Sequence, residues 1–203
     1  MNIQRIDSYD DPSFSNIVLN QHGGFLADGE PYEVEIISMR EAVIRGREVE
    51  AFPNIIEEFR FYAPHITCFY DENHHVIHNF PPVRFLTVPL KSIQPSQFYV
   101  DADKVEAIRG YIREEKDVII QVLRHGDRYV SLDGHTRLYY AAKMGWTAVQ
   151  AVEETSGDYI FGFVEEAMRR GFYSPYDLHL VCHKEYEEKW NKFCDDFFAQ
   201  KEH

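Results

Sequence analysis

The run Tyr129-Val130-Ser131-Leu132-Asp133-Gly134-His135-Thr136-Arg137-Leu138 constrains this chain more than any other. A strand pattern ends in an acid, a glycine follows, and a helical pattern starts at once. The first N–H groups of such a helix have no partner within it, and the macrodipole adds partial positive charge there. The end therefore suits an anion, a phosphate above all. Gly134 lets the backbone turn, Thr136 can donate a hydroxyl hydrogen bond, and Arg137 can grip a phosphate bidentately. His135 can donate or shuttle a proton, and Asp133 can accept a hydroxyl proton or hold Mg²⁺ through oxygen. The same residues also read as a plain helix start, with Asp133 and Thr136 as caps and Gly134 as the turn.

The rest of the chain supplies alternating strands and helices. Pro31–Met39 alternates as a strand does, and Ala42–Arg45 is a short second strand. Glu48–Tyr62 spaces Phe52, Ile55, Ile56, Phe59 and Tyr62 as a helix, with Pro53 in its first turn. His65–Tyr70 and His75–Phe80 flank a turn and predict a hairpin. The first fifteen residues are polar and predict a loosely held segment. Pro81-Pro82 marks a boundary. Beyond it, Arg84–Val88 predicts a strand, Leu90–Phe98 an extended segment, and Asp101 or Asp103 the cap of a helix. Val118–Arg124 and Arg128–Leu132 follow as strands, then a helix from the Asp133 loop through Met144, then a strand over Thr147–Val152. The tail predicts two helices, Asp158–Arg170 and one from about His183. The second carries Tyr186, Trp190, Phe193, Cys194 and Phe197 on one stripe, which reads as packing surface. The class is α+β: an N-terminal β-rich extension over 1–82, a mixed core over 83–153, and C-terminal helices over 154–203.

The 203 residues carry a formal charge of −13. Residues 1–82 contribute −9, residues 83–153 contribute +1, and residues 154–203 contribute −5. The acid therefore lies in the flanks. Long polyanions need lysine and arginine surfaces, so DNA is a poor partner, whereas a recessed neutral pocket still admits a small anion. The three cysteines are far apart, with no CxxC pair, which fits a reduced, cytoplasmic setting. Nothing approaches the ~20 consecutive apolar residues of a membrane span, and the N-terminus does not read as a signal peptide.

The segment Val88-Pro89-Leu90-Lys91-Ser92-Ile93-Gln94-Pro95-Ser96, a capped helix, a hairpin, the Asp133–Arg137 loop, Ala141-Ala142, Gly145 and a closing strand together resemble the ParB/sulfiredoxin superfamily over about residues 83–153. The resemblance implies a ParB/sulfiredoxin-like core and a nucleotide or phosphate ligand at the loop. ParB partition proteins carry Gly-Glu-Arg-Arg there and bind CTP ahead of a DNA-binding helix-turn-helix. Here His135 and Thr136 replace the Glu and the first Arg, and the acidic tail shows no such domain. Sulfiredoxins need a cysteine after the glycine, where this chain has His135. The loop is most similar to the Asp-Gly-His-His-Arg of free serine kinases, with Thr136 in place of the second His. Those kinases use a glutamate in a Pro-His-Glu string as acid/base. The matching string is Pro95-Ser96-Gln97, and Gln97 cannot take a proton.

Three readings follow. The leading one is a protein that binds ATP, ADP or CTP, or another small phosphate compound, and carries out Mg²⁺-assisted phosphoryl transfer or hydrolysis. In it Asp133 and His135 are catalytic, residues 134–137 hold phosphate, and Asp133 holds the metal. Ser96, Gln97 and Asp101 stand near the substrate or behind it, with Asp101 or Asp133 as replacement bases. The second reading is a non-catalytic ligand sensor or interaction module, which the Gln97 departure favours. Residues 1–82 and the aromatic last helix would then face a protein partner or a second copy. The third, a ParB-like DNA-binding regulator, is weakest on charge. The groups His74, His75, His78 and His179, Cys182, His183 match no finger or HExxH spacing and read as surface and cap residues. Paired glutamates such as Glu57-Glu58 and Glu165-Glu166 point about 100° apart on a helix and read as solvated faces.

Overall fold

The computed structural model describes residues 1–200. The chain divides into two compact units, Met1–Arg84 and the part from Phe85 onward. Both mix helix and sheet, so the class is α+β.

In the first unit the strands are β1 (Ile3–Arg5), β2 (Gly24–Ala27), β3 (Glu30–Ile36), β4 (Glu41–Gly46), β5 (Cys68–Tyr70) and β6 (Val76–Asn79). They form one sheet in chain order, antiparallel at every step except β4–β5. A parallel step needs a crossover, and helix α2 (Phe52–Tyr62) supplies it. Short helix α1 (Asn16–Asn20) precedes β2. Of the five residues expected to line α2, Phe52, Ile55, Ile56 and Phe59 are buried with Phe25, Val34, Ile44 and Phe69, whereas Tyr62 in the last turn is exposed. Phe59 meets Phe25 and Phe69 edge to face, with ring centroids 6.3 and 6.2 Å away.

The expectation of a loose first fifteen residues is corrected. Strand β1 pairs with β2, and Ile6, Phe14 and Leu19 close a small core of their own. Those apolar residues are too widely spaced in a polar segment to show a period. Their burial comes from tertiary packing alone.

In the second unit β7 (Leu86–Pro89), β8 (Ile93–Gln94), β10 (Ile119–His125), β11 (Arg128–Ser131) and β12 (Ala148–Glu153) form a five-stranded sheet in the order β7-β12-β10-β11-β8. A separate two-stranded ladder joins β9 (Tyr99–Asp101) in parallel to β13 (His179–Val181). Helices α3 (Ala102–Arg109), α4 (His135–Lys143) and α5 (Tyr159–Arg169) complete the core elements. The β10–β11 hairpin feeds α4, which returns the chain to β12 on the far side of β10 in a parallel pairing. Leu138, Tyr139 and Ala141 of α4 pack with Ile120, Val122, Val149 and Ala151 of the sheet.

Residues 154–200 are not only helices laid on a finished core. Their strand β13 completes the ladder with β9, and they belong to the same compact unit as Phe85–Glu153. Their last helical stretch runs from α6 (His183–Tyr186) through a π-helical segment, Glu187–Asn191, to α7 (Lys192–Ala199). The aromatic stripe is taken up within the unit. Phe98 meets Trp190 and Phe193 at 4.9 and 5.2 Å, and Phe163 meets Phe197 at 4.2 Å. The stripe thus packs on its own unit, with Tyr186 buried and Trp190, Phe193, Cys194 and Phe197 half-buried. Among the described residues no helix is long and apolar enough to cross a membrane.

Candidate functional site

The expected strand–turn–helix is present. Strand β11 ends at Ser131, Gly134 sits at φ 84°, and α4 starts at His135. Only glycine adopts that left-handed geometry readily. Gly134 stands at the N-cap, so no side chain caps the helix, and the first turn holds no acid. A helix start of this kind retains its attraction for an anion.

The side chains around it are arranged differently from the expectation. Arg137 is not directed at open solvent as a ready clamp. Its Nη2 donates to Asp133 Oδ2 at 2.7 Å, and its Nη1 donates to the Ile119 carbonyl. The physical reason is the spacing: Asp133 and Arg137 are four residues apart, and the carboxylate is the nearest anion to the guanidinium. Asp133 itself remains 52% exposed at the side chain. Thr136 is half-buried on the same turn.

His135 is also turned away from the expected role. It is buried, and its Nε2 lies 2.8 Å from Ser131 Oγ, 3.2 Å from Ser96 Oγ and 3.3 Å from the Ser96 amide nitrogen. The Ser96 hydroxyl donates to the Ser131 carbonyl at 2.7 Å. The Ser96 N–H can only donate, so Nε2 is the acceptor and the proton of the neutral ring sits on Nδ1. Burial pushes the His135 pKa down to about 4, with Asp133 opposing and Arg137 reinforcing the shift. A neutral, enclosed imidazole is poorly placed to stabilise charge on a transferred group. From the start of α4 it instead ties the segment after β8, through Ser96, to the end of β11, through Ser131.

Gln97 donates its amide to the Tyr99 carbonyl and, at 3.3 Å, to the Tyr186 hydroxyl. Burial raises the Tyr186 phenol well above its usual range. Asp101 is 1% exposed and caps α3, its Oδ1 accepting from the Asp103 N–H at 3.0 Å. Its Oδ2 lies 2.7 Å from His183 Nδ1. Asp101 therefore stands as cap and ion-pair partner, which argues against a free base for a substrate hydroxyl. Sequence reasoning missed this pair, since 82 residues separate its members and neither lies in a motif.

For Mg²⁺, Asp133 is a half-exposed carboxylate beside the helix start. Magnesium is commonly held by one or two carboxylates plus ligand phosphates and water. The residues fit that minimum, provided Asp133 gives up Arg137. The other histidine groups are dispersed: His75 pairs with Asp71, His78 stacks on Phe80, and His179 packs against Phe172.

No family model matches the chain, and no curated protein matches it. Among solved structures, protein Atu1540 from Agrobacterium tumefaciens aligns at 20% identity and a TM-score of 0.34 over 47% of this chain. The match takes in 61% of that protein, so the chain spans less than two thirds of its length. A likeness this slight carries no argument about fold or activity.

Proposed function

We propose that the second unit is a ParB/sulfiredoxin-like binding module that takes a small phosphate compound, a nucleotide of the ATP, ADP or CTP kind, at the Gly134–Arg137 turn. The observation that supports it is the start of α4, which has no side-chain cap and no acid in its first turn and carries Arg137 on that turn. Phosphate would compete with Asp133 for the guanidinium, and the backbone N–H groups would complete its shell.

Binding without turnover fits the surroundings better than catalysis. Gln97 offers an amide where the kinases have an acid, and His135 is enclosed by Ser96 and Ser131. The exposure of Asp133 favours one further reading, a Mg²⁺-dependent phosphotransferase or hydrolase. There Asp133 would hold the ion, which neutralises phosphate charge when bound. Asp133 would also be the remaining candidate to accept a hydroxyl proton.

Thermal shifts with ATP, ADP, CTP and pyrophosphate, each with and without Mg²⁺, test the proposal. Stabilisation by at least one of them, lost in Arg137→Ala, is expected. No stabilisation of the wild type by any of the four overturns it. Release of phosphate, or transfer to a small hydroxyl compound, would replace the binding reading with the catalytic one.

A further inference from the structure

Asp101, Asp103 and His183 each offer one ligand atom, and the three atoms lie within 4.8 Å of one another. Two chain segments converge to make the group. The β9–α3 junction supplies the aspartates, and the start of α6 supplies the histidine. The parallel pairing of β9 with β13 fixes their approach, because Val181 stands opposite Asp101 and His183 follows two residues later.

The group differs from an ordinary cluster of surface acids. Asp101 is 1% exposed, and an ionised carboxylate at that depth requires a positive partner. Its Oδ1 is already occupied by the α3 cap, and its Oδ2 faces His183. Among the described residues its ion pair is with His183, whose side chain is 59% exposed and therefore reachable from solvent. A divalent ion between Asp101 and His183 would bring positive charge to that buried carboxylate and would also engage the exposed carboxylate of Asp103.

We propose that Asp101, Asp103 and His183 bind a divalent transition-metal ion of the zinc class, tying the start of the C-terminal helical stretch to the start of α3. The donor set decides the class. Imidazole nitrogen with two carboxylates suits zinc, cobalt or nickel, whereas magnesium and calcium take oxygen ligands almost exclusively. Three protein ligands leave at least one position for water.

The test uses full-length, tag-free, metal-free protein in phosphate-free buffer. Zn²⁺ is titrated by calorimetry, and Co²⁺ by its visible absorption. His183→Ala and Asp103→Asn both alter exposed side chains, and melting curves verify that each variant is folded. Asp101→Asn is avoided because Asp101 caps α3. The expected result is an equivalent of metal in the wild type that each variant weakens by about tenfold or more, since even outer-shell changes commonly cost that much. Failure of the wild type to take up Zn²⁺ overturns the site. Retention of full affinity by either variant overturns it as well. No phosphate is present, so the outcome is independent of the proposed nucleotide site.

Discussion

Arg137 lies across Gly134. A Cβ at position 134 would stand 3.2 Å from both Nε and Nη2 of the guanidinium and 2.6 Å from Ile120 Cγ2. The glycine thus serves twice, once for its left-handed backbone at φ 84° and once for the space it leaves. Gly134→Ala meets a left-handed penalty of roughly 1–2 kcal/mol and an overpacking cost of about 1–3 kcal/mol. The variant should lose about 2–5 kcal/mol in chemical denaturation, with Arg137 displaced from Asp133. Stability equal to wild type would mean that the turn is not built as described.

His135 gives the protein an acid-sensitive core. Its pKa lies near 4 in the folded state, against 6.5 for the free side chain, because burial opposes the charge. The unfolded chain therefore binds the proton more tightly. The His135 contribution is complete above about 6.5 and is lost as pH falls through about 4. The loss approaches about 3 kcal/mol at the acid limit. Unfolding free energies of wild type and His135→Asn, measured from neutral pH to about pH 4, should converge on acidification. A difference that stays constant over that range would contradict a neutral buried imidazole.

How much of this was legible in the sequence depends on distance along the chain. Helix α2 could be read because five apolar residues keep one spacing across a single segment. The start of α4 could be read because its strand, turn and helix are contiguous. What those side chains touch could not. Ser96 reaches His135 from 39 residues away, and Arg137 spends a donor on the carbonyl of Ile119, a strand earlier. The pairing of β9 with β13 was invisible for a different reason. Each strand is three residues long, too short for an alternation to register. One signal was overlooked: Asp28-Gly29 is a two-residue hairpin turn between β2 and β3, with both residues at positive φ.

Glu166 links two arginines at the end of α5. It accepts from Arg169 Nη2 at 2.6 Å and from Arg170 Nε at 2.6 Å. Arg170 in turn places its guanidinium 4.4 Å from the centroid of the Phe98 ring. The Arg169 hydrogen bond, then that of Arg170, holds the Glu166 carboxyl down at about 2, against an ordinary 4.5. Its contribution is present above about 4.5 and is lost as pH falls through about 2. Arg169 is largely exposed, so screening limits the net effect to about 1 kcal/mol. Glu166→Gln should be less stable near neutral pH, and the gap should close in strong acid. Equal stability at both ends would show that the Arg170–Phe98 stack stands without the carboxylate.

Asp133→Asn separates the two readings of the phosphate turn, because Asp133 has opposite effects in them. As the partner of Arg137 at 2.7 Å, the carboxylate competes with any incoming anion. Removing its charge frees the guanidinium and strengthens binding of pyrophosphate or nucleotide in metal-free buffer. A single competing charge beside a partly exposed arginine is worth on the order of 1 kcal/mol, so the gain should be about fivefold. With Mg²⁺ present the prediction reverses if Asp133 holds the ion. The wild type would then bind more tightly with Mg²⁺ than without, and the variant would show no such difference. The binding-module reading expects the metal-free gain and little effect of Mg²⁺ on either protein. A variant that binds more weakly than wild type in metal-free buffer would mean that Asp133 holds Arg137 in position for the ligand and does not compete with it.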